Sequence, residues 1–376
     1  MRPFFIEWKA RNIADPVARL RYLHQKMEPG RSDRVPRRTQ WKVASLLPAL
    51  ACLFIPGFKA SNAHQDLFVA PIPHVAAAAP DVYADVWRVE KTNDSETYSN
   101  GLRIDDRYAV SNEPRHPYRV FGPNADASQP DIRTQPAGIV YHTTESDQAS
   151  FEEGQNGALL RIEKEVLSYV KHNHSYHFLI DRFGQVYRIV QESDVAFHAG
   201  NSVWADSSGV YVYLNSSFLG IAFETQTRVG EQTSANPAQI HAARVLTQML
   251  RSKYHIAQSN CVTHAQVSVN PSNMLIGYHT DWAGNFPFLE VGLSDNYTAP
   301  PAAIYAFGFD YNPVFVHATG VRLWQGLALA EDQLRAQAEA RGLRVSQYRA
   351  QLRKKYHQII TTLKPVSEAK EQRHAT

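Results

Sequence analysis

The chain has 376 residues, 44% apolar and 20% charged, which is globular composition and excludes a disordered or fibrous polymer. Its net charge of +3 sits at one end: residues 1–42 carry eleven Lys/Arg against four Asp/Glu, and the chain from His64 onward is net acidic. That distribution excludes a nucleic-acid-binding surface, and two cysteines, Cys52 and Cys261, exclude a cysteine-rich zinc site.

Residues 43–58 are almost wholly apolar and follow the basic run that contains Arg37, Arg38 and Lys42. Sixteen residues with two prolines are short for a membrane span but suit the hydrophobic region of an export signal. Ser61-Asn62-Ala63 offers a cleavage site, and a start at Met27 would leave a basic region of ordinary length. The expectation is an exported protein, periplasmic or extracellular, with an uncleaved signal anchoring it to the membrane through residues 43–58 as the alternative. Residues 1–63 then form the export segment. Residues 64–130 form a lead-in with strand-like pieces at 83–89 and 107–110 and a turn at Ser99-Asn100-Gly101.

A buried strand is predicted over 137–141, ending on His142. Apolar residues at helical spacing predict a helix over 157–171. A hairpin follows, with arms at 176–180 and 185–190. Phe197-His198-Ala199-Gly200 leads into a polar loop, then a buried strand over 218–224. A second amphipathic helix is predicted over 238–253, and Cys261-Val262-Thr263-His264 reads as a short strand ending in histidine. Alternating helices and strands predict an α/β domain over 131–290, a single mixed β-sheet flanked by helices. Residues 291–376 read as a largely helical extension, with a helical hairpin over 322–362.

Two strands thus end in histidine, and His279 and Asp281 lie in a loop further on. Two histidines and a carboxylate from separate segments match an open catalytic zinc site, which keeps one position for water. Plainer readings stand beside it: His142 as a hydrogen-bonded structural histidine, Asp281 as a turn residue, His279 in place of Asp281 as the third ligand. His177 alternates with Tyr176 and reads as structural. His198 reads equally as a substrate contact or as a pin for its own loop.

From about Pro136 to Phe288 the sequence resembles the zinc-dependent N-acetylmuramoyl-L-alanine amidases, the superfamily of phage lysozyme-type amidases and peptidoglycan recognition proteins. The resemblance rests on blocks in order: GIVYHTT, SYHFLIDRFGQVYRIV, FHAGNS, LGIAFE, NPAQIHAARVLTQML, THAQ and HTDWAGNFPF. It implies one zinc ion per chain on His142, His264 and Asp281. It also implies peptidoglycan or muropeptides as partner, and hydrolysis by zinc-activated water of the amide between N-acetylmuramic acid and L-alanine. Tyr176 falls where members hydrogen-bond the reacting centre, and His279 where members carry an oxyanion-stabilising lysine. Ala222 stands where some members have a glutamate base, which leaves Glu224, two residues on, as the proton-relay candidate. His198, Asn201 and Trp282 are the expected substrate contacts. The 17-residue spacing from His264 to Asp281 exceeds the family's usual one, and an insertion over 268–276 would explain it. Members of the fold that bind peptidoglycan without cutting it form the alternative.

Overall fold

The computed structural model describes residues 81–122, 125, 130–228, 233–319 and 324–363, together with Ile13 and Tyr22. The export segment, Ile13 and Tyr22 apart, lies outside the described residues. Among the described residues no helix is long and apolar enough to cross a membrane, and those from Val82 on belong to one compact unit.

Fifteen strands are described: β1 (Arg88–Lys91), β2 (Ser95–Tyr98), β3 (Arg103–Asp105), β4 (Tyr118–Phe121), β5 (Asp131–Arg133), β6 (Gly138–Thr143), β7 (Phe178–Ile180), β8 (Val186–Arg188), β9 (Val203–Asp206), β10 (Gly209–Val212), β11 (Phe218–Phe223), β12 (Cys261–Thr263), β13 (Val269–Asn270), β14 (Leu275–Ile276) and β15 (Asp310–Tyr311). The α-helices are α1 (Asn156–His172), α2 (Pro237–Tyr254), α3 (His264–Val267), α4 (Phe288–Val291), α5 (Ala302–Phe307), α6 (Pro313–Ala318), α7 (Gln325–Glu339) and α8 (Val345–Leu363).

The main sheet is mixed, in the order β1-β2-β3-β8-β7-β11-β6-β12. β6 lies between β11 and β12, parallel to both. All six of its residues are buried, which is why it reads as an unbroken apolar run. Alternate residues of the sheet face opposite layers. Leu179, Tyr187, Ile189 and Ala222 pack with Ile162, Val166, Leu167 and Val170 of α1. Ile139, Tyr141, Ile221 and Phe223 pack with Ala243, Leu246, Met249 and Leu250 of α2. Each fully buried aliphatic side chain contributes on the order of 2 kcal/mol, so the two helices fix the sheet from both sides. α2 starts on a capping box, Asn236 with Gln239, with Pro237 in its first turn.

Four expectations change. The strand-like pieces at 83–89 and 107–110 are mostly coil. The lead-in strands lie instead at β1, β2 and β3, and β3 extends the main sheet through β8. A buried charge network locks this join: Arg188 reaches Glu192 at 2.8 Å and Glu96 at 3.0 Å, and pairs with Asp106. The polar loop after Gly200 is the hairpin β9–β10, whose Asp206-Ser207-Ser208 turn dilutes the β-branched and aromatic signal on either side. That hairpin joins β4 and β5 in a second sheet, so the sheet is not single. The insertion over 268–276 forms β13 and β14, and β15 from the C-terminal extension completes a third. The extension is helical, as α7 and α8, and its apolar face shares one core with Ala265, Val269, Ile276 and Ala283.

Candidate metal centre

β6 delivers His142 to the end of the main sheet with 1% of its surface exposed. β12, its neighbour, stops at Thr263, and His264 opens the short helix α3 instead of ending the strand. Thr263 and Gln266 form a capping box that fixes this start. Asp281 arrives from the loop after β14. One ligating atom from each of His142, His264 and Asp281 lies within 4.8 Å of the other two, and all three residues are buried. The His264 Nδ1 is 3.0 Å and the His142 Nδ1 3.2 Å from the Asp281 carboxylate.

The ring behind His142 decides what that group offers. His198 Nε2 lies 3.3 Å from the Phe218 carbonyl, which only accepts, so the ring carries its proton there. Its Nδ1 therefore accepts from His142 Nε2 at 3.1 Å. Burial, and then His264, push the His142 pKa down to about 4, so the ring is neutral near pH 7. The Nδ1 lone pair of a neutral His142 then faces the Asp281 carboxylate. Burial opposes charge on Asp281, yet His264 holds its carboxyl well below the usual range. Electron-pair donors converging on one buried point are relieved by a cation between them, and two imidazoles with one carboxylate suit a divalent metal with an open position.

His198 is 9% exposed and sits behind His142. Gly220 makes room for it: a Cβ there would come within 2.6 Å of the His198 ring. Asn215 Oδ1 accepts from the backbone N–H of both His198 and Ala199, holding the loop. His177 is a core histidine that accepts from Gly220 N–H at 2.9 Å. Trp282, expected at the substrate, is 1% exposed and packs on Phe223 and Phe286; its backbone turn drives the ring inward. Glu224, the expected proton relay, is 1% exposed and accepts from Arg182 N–H. Its charged neighbours are Asp181, Glu163 and Arg182, away from the three ligating groups, and burial pushes its pKa up to about 7. Asn201 is exposed, and its carbonyl accepts from Val269.

Tyr176 and His279 do stand beside the three ligating groups. The Tyr176 ring centroid is 5.0 Å from that of His142. Its φ of 63° is left-handed, a costly conformation for an aromatic residue. Burial and Asp281 push its phenol pKa up, so it remains a hydroxyl donor. His279 stacks on His264 at 4.5 Å with 18° between planes. Its backbone is held at both N–H and C=O by the Ser268 hydroxyl from the insertion. The sequence pattern pointed to the three residues that the fold brings together. It missed the orienting part of His198 and the slot at Gly220, for which the paired FHAG and LGI motifs were the available signal.

Fold and site together define the class: an α/β protein whose central strands carry histidines to a three-residue site that could hold a metal. A profile of the family described as N-acetylmuramoyl-L-alanine amidase matches residues 132–281, so this segment is similar to that family. The N-acetylmuramoyl-L-alanine amidase AmiD of Escherichia coli (strain K12) is 33% identical over 92 residues, 22% of this chain. The match spans 31% of that relative's length. Among solved structures, AmiD from E. coli in complex with the substrate anhydro-N-acetylmuramic acid-L-Ala-D-gamma-Glu-L-Lys is similar at a TM-score of 0.35 and 18% identity, covering 65% of this chain and 98% of that one. The amidase LysC from Clostridium intestinale URNW is similar at a TM-score of 0.27 and 21% identity, covering 50% and 93%.

Proposed function

We propose that this protein is a zinc-dependent peptidoglycan hydrolase that cleaves the amide between N-acetylmuramic acid and the L-alanine of the stem peptide. The observation that carries the reading is the convergence of His142, His264 and Asp281 within a segment similar to the amidase family. Zinc held there would supply an acidified water and polarise the scissile carbonyl.

The chain's own residues do the remaining work. His198 keeps the proton on His142 Nε2 and so aims Nδ1 into the site. Tyr176, fixed by its strained backbone beside His142, donates its hydroxyl proton to the oxygen that gains charge as the carbonyl carbon becomes tetrahedral. His279, stacked on His264, offers a ring N–H to the same oxygen. Partial burial and His264 push its pKa down, so it acts as a neutral donor, where a family lysine would bring a full charge. The substrate lies outside the cytoplasm, and the apolar segment 43–58 behind a basic run supports export to it.

The test is the zinc-loaded chain incubated with purified peptidoglycan, with the products analysed by mass spectrometry beside a His142→Ala control. Stem peptides with a free L-alanine amine, absent from the control, are expected. Wall binding by the zinc-loaded chain without any release of peptide would make it a recognition protein instead.

A further inference from the structure

The match to the amidase family ends at Asp281, yet the loop that holds Asp281 in place continues beyond it. Residues 277–287 form neither strand nor helix. Trp282 (φ 56°) and Asn285 (φ 60°) both sit in the left-handed region, which non-glycine residues keep only when their surroundings impose it. The loop's middle has few backbone bonds: Ala283 N–H donates to Thr280 and Ala265 N–H to the Asp281 carbonyl at 3.2 Å, and the remaining ones lie at its ends, Gly277 N–H to Ser268, Phe288 N–H to Phe286 and Val291 N–H to Pro287.

The surroundings come from the C-terminal extension. The Tyr297 hydroxyl donates to the Trp282 carbonyl at 2.5 Å and accepts from Phe286 N–H at 3.3 Å, spanning the loop. The Trp324 indole N–H donates to the Ala283 carbonyl at 2.8 Å. The Tyr297 and Trp324 rings pack at 4.8 Å, and Phe315 packs edge-on to Trp324 at 5.1 Å. At the other end of the loop Gly277, with φ 71°, leaves the volume that the Phe315 ring fills: a Cβ there would lie 2.1 Å from it. Both carbonyls that follow the Asp281 peptide unit are thus taken by side chains from outside the family segment.

We propose that Tyr297 and Trp324 are positioning residues for the third metal-ligating group, so that the C-terminal extension is a brace for the active site. The proposal rests on the metal reading of that site.

The experiment uses the full chain and two variants, Trp324→Phe and Tyr297→Phe, which remove one hydrogen-bonding group each and keep an aromatic ring at each position. Leu352→Ala, in α8 against Gly308, is the control for general destabilisation. Zinc affinity is measured by competition with a chromophoric chelator, and the visible spectrum of the cobalt(II)-loaded chain reads ligand geometry. Both variants are expected to bind zinc about ten-fold more weakly and to alter the cobalt spectrum, while Leu352→Ala lowers the thermal midpoint and leaves zinc affinity near wild type. Amide exchange over residues 278–286 in the metal-free chain reads the brace without the metal and is expected to quicken in the two variants alone. Wild-type zinc affinity and exchange in both variants would overturn the proposal, as would an equal loss of affinity in Leu352→Ala. A wild-type chain that binds no zinc would overturn the metal reading, and the exchange result would still decide the brace.

Discussion

The two sides of the candidate centre are made rigid by different means. His142 stands on a strand with parallel neighbours on both sides and a helix layer on each face. Its rigidity is regular and local, and its orientation needs one further ring, His198. Asp281 stands on a loop with two left-handed non-glycine residues, held by Tyr297 and Trp324. The strand side is over-determined by repeated backbone hydrogen bonds. The loop side is over-determined by side chains that arrive from later in the chain. A site can therefore be half encoded in a compact motif and half in residues that carry no motif.

The largest expected effect breaks the strand side outright. His142→Ala removes a ligating nitrogen and is expected to abolish both stoichiometric zinc binding and amidase activity, measured by metal analysis of the purified chain and by product mass spectrometry. Tyr176→Phe leaves both sides intact and removes a donor from the reacting oxygen; kcat is expected to fall about 10²–10³-fold with zinc affinity unchanged. Arg188→Leu strikes the join between the lead-in strands and the sheet. It strips Asp106 of its Arg188 partner and leaves Glu96 to Arg88 and Lys91 and Glu192 to Lys253, and is expected to cost about 3 kcal/mol in denaturant unfolding.

Gly220→Ala sharpens the comparison, because it disturbs the strand side at one remove. The new methyl displaces the His198 ring, and zinc affinity is expected to drop about ten-fold, matching the loss expected from Trp324→Phe on the loop side. The smallest effect concerns Glu224. Its folded pKa is raised from 4.5 to about 7, so it is protonated in the fold below that pH, and the stability this gives is lost as pH rises from about 4.5 through 7. Glu224→Gln is expected to raise the unfolding free energy by roughly 2 kcal/mol at pH 8 and to leave it unchanged at pH 4. Its activity is expected to stay within a few-fold of wild type, because the carboxylate bonds to the Arg182 backbone N–H and not to the three ligating groups.

Much of this protein was legible in its residue order. Unbroken apolar runs and period-3.6 patterns, which are local properties of a chain segment, mark β6, β11, α1 and α2 within a residue or two. The positions of His142 and His264 after apolar runs are likewise readable, because a strand's end in sequence is its end in space, whereas Asp281 lies in a loop and is singled out by its block HTDWAGNFPF. Trp282 carries no local signal for facing in or out, and its left-handed turn sends it into the core. Only the tertiary structure decided that His198 backs His142, that the lead-in strands extend the main sheet, and that Tyr297 and Trp324 hold the Asp281 loop. Each joins residues far apart in the chain through hydrogen bonds or a shared packing volume, and a linear sequence does not state such contacts before the chain has folded.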